Sequence, residues 1–143
     1  MYIFDGAMGT MLQAAGLEEG YCPELFNIER PEVVKDIHAQ YLQHGSDVIT
    51  TNTFGACGLK LEDYDLQDRV REINIAAVKV AKEAIAETKP TARVAGSMGP
   101  TGRFLQPLGN MSFDSIYDTY REQAEALIEG GVDFIIIETI IDV

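Results

Sequence analysis

In Gly130-Gly131-Val132-Asp133-Phe134-Ile135-Ile136-Ile137-Glu138-Thr139 a glycine pair stops one element, a short β-branched run follows, and a carboxylate ends that run. An apolar run this short, bounded by turn chemistry, reads as a buried strand rather than a helix. The same pattern recurs upstream in Arg93–Ser97, Asp47–Asn52 and Tyr2–Asp5, so four strands are predicted, the last over Asp133–Glu138. Helical periodicity fills the gaps. From Pro31, a favourable first-turn residue, Val33, Val34, Ile37, His38, Tyr41 and Leu42 recur at helix spacing until Gly45. Leu66, Val70, Ile73, Ala77, Val80, Ala81, Ala84 and Ile85 form a second stripe, which Pro90 closes. Ser112 is placed to cap a third helix, whose Phe113, Ile116, Tyr117, Tyr120, Ala124, Leu127 and Ile128 are expected to face inward.

Strands that alternate with long helices imply an α/β fold with a parallel sheet, because a parallel connection needs a crossover. The polar strand ends Asp5, Asn52, Ser97 and Glu138 lie 47, 45 and 41 residues apart, which is a repeated βα unit. A closed (βα)8 barrel of the TIM type built from such units takes more than about 300 residues. The 143 residues hold three units and a fourth strand without the helix to cover it. The expected architecture is therefore about half a barrel, (βα)3β, over residues 1–143. Its uncovered edges make self-association a second possibility.

Composition excludes several classes of function. With 11 basic and 23 acidic residues the net charge is −12, which repels nucleic-acid backbones and anionic membranes. Phe134–Ile137 is an apolar run far short of the roughly 18 residues of a membrane span. The N-terminus lacks the basic and apolar regions of a secretory signal. Cys22 and Cys57 belong to no paired motif, so neither a disulfide framework nor a zinc finger is predicted, and a cytoplasmic location fits.

Each predicted strand ends in a polar residue, and three of the four run into a loop that contains glycine, as in Asp5-Gly6-Ala7-Met8-Gly9-Thr10. In parallel α/β folds these carboxyl ends converge on the site. Asp5 and Glu138 would then share one mouth with exposed loop amides, an arrangement suited to a small zwitterion: carboxylates for an ammonium, N–H groups for a carboxylate. The plainer reading makes Asp5 a helix cap and Glu138 a strand end. Gly96-Ser97-Met98-Gly99-Pro100-Thr101-Gly102 lacks the spacing of a phosphate cradle and reads as a tight turn. His38, His44, Cys57 and the tyrosines of the third helix read as structural.

The string Asp5-Gly6-Ala7-Met8-Gly9-Thr10-Met11-Leu12-Gln13 resembles the opening of the homocysteine S-methyltransferase family, most closely the homocysteine-binding module of its cobalamin-dependent branch. Pro23-Glu24-Leu25-Phe26-Asn27, Pro31-Glu32-Val33-Val34, Thr51-Asn52-Thr53-Phe54-Gly55-Ala56, Val94–Thr101 and Gly130–Thr139 continue the resemblance in order. It implies a barrel that binds L-homocysteine at the carboxyl ends of its strands. Asp5, the amides of Gly6 and Ala7, and Glu138 would hold the amino-acid end, with Asn52, Thr53 and Ser97 lining the mouth. It further implies a zinc ion on three cysteine thiolates that activates the substrate thiol, and methylcobalamin as methyl donor, regenerated from folate on later modules. A betaine- or S-methylmethionine-dependent methyltransferase is the alternative. The zinc cysteines of the family lie on later strands, including a Gly-Gly-Cys-Cys stretch absent from these residues, and Cys22 and Cys57 do not match them. The chain alone is thus expected to hold neither metal nor catalytic residue, only substrate-orienting ones, and to be inactive without the rest of the barrel and the cobalamin and folate modules.

Overall fold

The computed structural model describes residues 1–140; Ile141, Asp142 and Val143 lie outside the described part. In chain order the elements are α1 (Gly9–Ala14), α2 (Phe26–Glu29), α3 (Pro31–Gln43), β1 (Val48–Thr50), α4 (Gly58–Leu61), α5 (Val70–Thr88), β2 (Arg93–Met98), α6 (Phe113–Gly130) and β3 (Phe134–Ile137), with short 3₁₀ turns between some of them. The strands form one parallel sheet in the order β1-β2-β3, with Val48 beside Arg93 and Ala95 beside Phe134. Helices α3, α5 and α6 are the crossovers, and α5 packs against both of the others. No described helix is long and apolar enough to cross a membrane.

The helix ends follow the expected chemistry. Pro31 opens α3. The Ser112 hydroxyl accepts the Ser115 N–H at 3.1 Å to cap α6, and Gly131 closes that helix with a left-handed φ of 87°. The second long helix begins at Val70 rather than Leu66, because Gln67–Arg69 form a 3₁₀ turn ahead of it.

Three strands are shorter than predicted; β3 loses one residue at each end of Asp133–Glu138, and the other two stop early for one physical reason. Around Phe4 the ladder is regular: Val48 N–H donates to the Ile3 carbonyl and Asp5 N–H to that of Val48. The next rung would run from Thr50 N–H to the Asp5 carbonyl. The Asp5 carboxylate takes that N–H instead, at 2.8 Å, so Tyr2–Asp5 is reduced to a single bridge between Phe4 and Val48. Likewise the Thr51 hydroxyl, not its carbonyl, accepts Ser97 N–H at 3.1 Å. The freed carbonyl accepts Thr53 N–H, and β1 stops at Thr50 instead of reaching Asn52.

The core runs along α3, α5 and the sheet. Val34, Ile37, Ile49, Ile73, Ala77, Ala81 and Val94 are buried. The inward face predicted for α6 is corrected in part: Leu127 is buried with Tyr120 and Ala124 packed against its cluster, as expected, but Phe113, Tyr117 and Ile128 are exposed, and Thr119, Gln123 and Ala126 are buried instead. Hydrogen bonding accounts for the rotation. Thr119 Oγ1 accepts Leu59 N–H at 3.2 Å, and Gln123 Nε2 donates to the Thr53 carbonyl at 2.8 Å.

Candidate functional site

A cleft of about 550 Å³ opens at the carboxyl ends of the strands. Its wall includes Asp5, Gly6, Ala7, Asn52, Ser97 and Glu138, six of the seven residues expected to bind substrate. Thr53 is fully buried behind that wall, its hydroxyl donating to the Ser97 carbonyl at 2.7 Å.

Asp5 caps no helix. Its two carboxylate oxygens accept the N–H and the hydroxyl of Thr50, both at 2.8 Å. Burial pushes its carboxyl above the usual carboxylate value against those two donors, and the negative charge of Glu138 adds to the rise. Glu138 accepts the Ser97 hydroxyl at 2.5 Å. Because Ser97 is nearly inaccessible and is bonded through its backbone to Thr51 and Thr53, this contact ties the end of β3 to the middle of the sheet. Directly after Glu138, Thr139 holds a φ of 59°. A β-branched residue in that region carries roughly 1–3 kcal/mol of backbone strain, of the kind that collects at ligand sites.

The floor is a clasp between residues 23–27 and 52–55. Asn52 Nδ2 donates to the Pro23 carbonyl at 2.8 Å, and Asn27 Nδ2 donates to the Asn52 carbonyl at 2.7 Å. Glu24, buried with one oxygen on Gly55 N–H at 2.7 Å and the other accepting the Cys22 thiol at 3.3 Å, also lines the cleft. Sequence reasoning treated Glu24 only as part of a resemblance. The available signal was Gly55, where an added Cβ would lie 2.8 Å from a Glu24 oxygen. Gly99 has the same logic: its N–H donates to the Phe54 carbonyl at 3.0 Å, and a Cβ would lie 2.6 Å from that oxygen.

Among the described residues the lining carries three carboxylates, Asp5, Glu24 and Glu138, and no basic side chain. It is suited to a cationic group, with Gly6 and Ala7 presenting backbone to the same space. It does not suit zinc. No three His, Cys, Asp or Glu side chains among the described residues converge as a metal-binding set. Burial and the nearby Glu24 charge push the Cys22 thiol up to about 12, and burial also raises Cys57, so both are protonated at neutral pH. Cys57 lies outside the cleft lining. His38 is fully buried on α3, and His44 caps that helix with Nδ1 2.7 Å from the Gln40 carbonyl.

Comparison with known proteins identifies relatives of the chain. The methionine synthases of Mycobacterium tuberculosis and Mycobacterium leprae are 41% and 39% identical to the chain over 145 residues, which covers 94% of this chain and 12% of each relative. The homocysteine methyltransferase MmuM from Escherichia coli superposes with a TM-score of 0.80 in its metallated form and 0.76 in its oxidized form, at 26% identity. Those alignments cover 97% and 94% of this chain, and 54% and 51% of the MmuM chain. The family model for homocysteine S-methyltransferase matches residues 2–143, and the chain belongs to that family.

Proposed function

We propose that residues 1–143 are the N-terminal half of a homocysteine-binding (βα)8 barrel, and that the cleft holds the amino-acid end of L-homocysteine for methyl transfer to its sulfur, giving methionine. The observation that carries this reading is that Asp5 and Glu138, 133 residues apart in sequence, line one cleft with the backbone of Gly6 and Ala7. Asp5 and Glu138 take the ammonium, the amides of Gly6 and Ala7 take the carboxylate, and Asn52 and Ser97 shape the wall, with Thr53 supporting it from behind. The half-barrel assignment is supported by the 54% and 51% shares of the MmuM chain that the alignments span. The 39–41% identity to methionine synthases favours that activity over a betaine- or S-methylmethionine-dependent one.

The described residues do not fit zinc, so the thiol-activating metal is assigned to the other half of the barrel, and cobalamin and folate to further modules of a longer cytoplasmic protein. What these residues contribute is orientation: a carboxylate pair and a set of backbone donors fix one end of the substrate and leave its sulfur free to point toward the opposite rim.

Calorimetry with L-homocysteine tests the reading. Weak binding is expected, lowered about tenfold or more in Glu138→Gln, the order expected for a lost charge-assisted hydrogen bond. Unchanged affinity in that variant removes Glu138 from the site. A second reading, self-association of half-barrels, is favoured by the exposure of Ile128 and Ile137. Sedimentation of a compact monomer would exclude it.

A further inference from the structure

We propose that Tyr41 is a positioning residue for the ligand carboxylate, an inference that rests on the reading above and extends it to a side chain outside the cleft. Tyr41 lies on the last turn of α3, half-buried against the cluster formed by Leu12, Phe26, Val34 and Ile37. Its hydroxyl donates to the Ala7 carbonyl at 2.8 Å. Its ring edge lies against Gly6, where an added Cβ would stand 3.0 Å from the phenol oxygen and 3.1 Å from Cε1. Tyr41 thus touches both residues whose amides face the ligand, without lining the cleft.

The consequence follows from peptide geometry. The loop spans only the gap between the bridge at Phe4 and the start of α1 at Gly9. No backbone carbonyl among the described residues takes the N–H of Gly6 or Ala7. The loop is therefore held from its carbonyl side. The Ala7 carbonyl shares its peptide plane with the Met8 N–H, so the anchor reaches the Gly6 and Ala7 donors indirectly: with the Tyr41 ring against Gly6 and its hydroxyl on the Ala7 carbonyl, the peptide unit between the two residues is held at both ends and its rotation is limited. With the anchor, the donors are ordered before the ligand arrives; without it, their ordering must accompany binding and weakens it.

The test compares L-homocysteine with aminopropanethiol, which is homocysteine without its carboxylate. Tyr41→Phe keeps the ring and removes only the hydroxyl. L-Homocysteine is expected to bind it about three- to tenfold more weakly, the range for one lost neutral hydrogen bond, while aminopropanethiol binds both proteins equally. Equal losses for the two ligands, or no loss for L-homocysteine, overturn the proposal. Amide NMR of the unsubstituted chain gives a second measurement that does not depend on the variant folding. The Gly6 and Ala7 signals should shift with L-homocysteine and not with aminopropanethiol, and identical shifts with both overturn it. Glu138→Gln in the same titrations separates the two claims: an unchanged L-homocysteine affinity there defeats the functional reading, whereas the Tyr41 outcome depends only on the carboxylate.

Discussion

Helices α5 and α6 are neighbours of similar length with comparable apolar stripes, yet they bury them differently. On α5 the stripe goes inward: Val70, Ile73, Ala77, Val80, Ala81 and Ala84 are all buried. On α6 the polar Thr119 and Gln123 are buried while Phe113, Tyr117 and Ile128 stay 54–70% exposed. The adjoining β3 repeats this pattern, with Ile137 70% exposed. One side of the molecule is sealed by apolar packing; the other combines a narrower apolar seam at Ala126 and Leu127 with hydrogen bonds and keeps part of its apolar surface outward. The lesson is that an apolar stripe identifies a face that needs cover, but not which neighbour supplies it.

The largest expected effect is on the sealed side. Ile73→Ala should cost about 2–5 kcal/mol in urea unfolding, because a fully buried side chain is removed from a rigid core. A loss below about 1 kcal/mol would mean that α5 is no better packed than α6.

On the same side, His38 is fully buried with no partner for either ring nitrogen among the described residues, and burial holds its pKa down to about 4. A histidine whose folded pKa is depressed contributes stability that is complete above the unfolded value near 6.5 and is lost as pH falls from there toward 4. The full span is worth roughly 3 kcal/mol. Unfolding midpoints measured across that range should decline, and the decline should flatten in His38→Leu. Asp5 has the opposite sign: its raised carboxyl pKa favours the folded state below the ordinary value of 3.8 and loses that advantage as pH rises through the folded value.

On the hydrogen-bonded side, Gln123→Leu is expected to cost about 1 kcal/mol despite adding apolar surface, since the Thr53 carbonyl would keep only the Ala56 N–H and Asn74 Oδ1 would lose its contact with the amide. A stabilised variant would show that apolar packing governs α6 as well. The smallest effect belongs to Ile128→Ser, expected to stay within about 0.5 kcal/mol by chemical denaturation because the side chain is already in water. A larger loss would reveal a partner on that face.

What could be read in advance follows the same division. Helix ends marked by Pro31, Ser112 and Gly131 are legible because each acts on the adjacent turn, whereas the start of α5, which has no such marker, is not. The convergence of Asp5, Asn52, Ser97 and Glu138 was legible from parallel topology. Strand ends were not, since the decisive bonds at Thr50 and Ser97 come from side chains that are polar in either outcome. Thr53 was misplaced by a single residue of alternation: Asn52 lines the cleft, Thr53 turns away. Glu24 escaped notice because a buried carboxylate is identified by its partners, here Gly55 and Cys22, and both are remote from any charge pattern.

The replacement of a backbone rung by Asp5 and Thr51 has one more consequence. Where a side chain closes the ladder, the main chain beyond it is released from the pleat and turns to make the clasp at residues 52–55. The strands are thus held by main-chain rungs and the rim by side chains, so an insertion just after Asn52 should break the bonds of Thr53, Phe54 and Gly55 and loosen the cleft while leaving the sheet register intact.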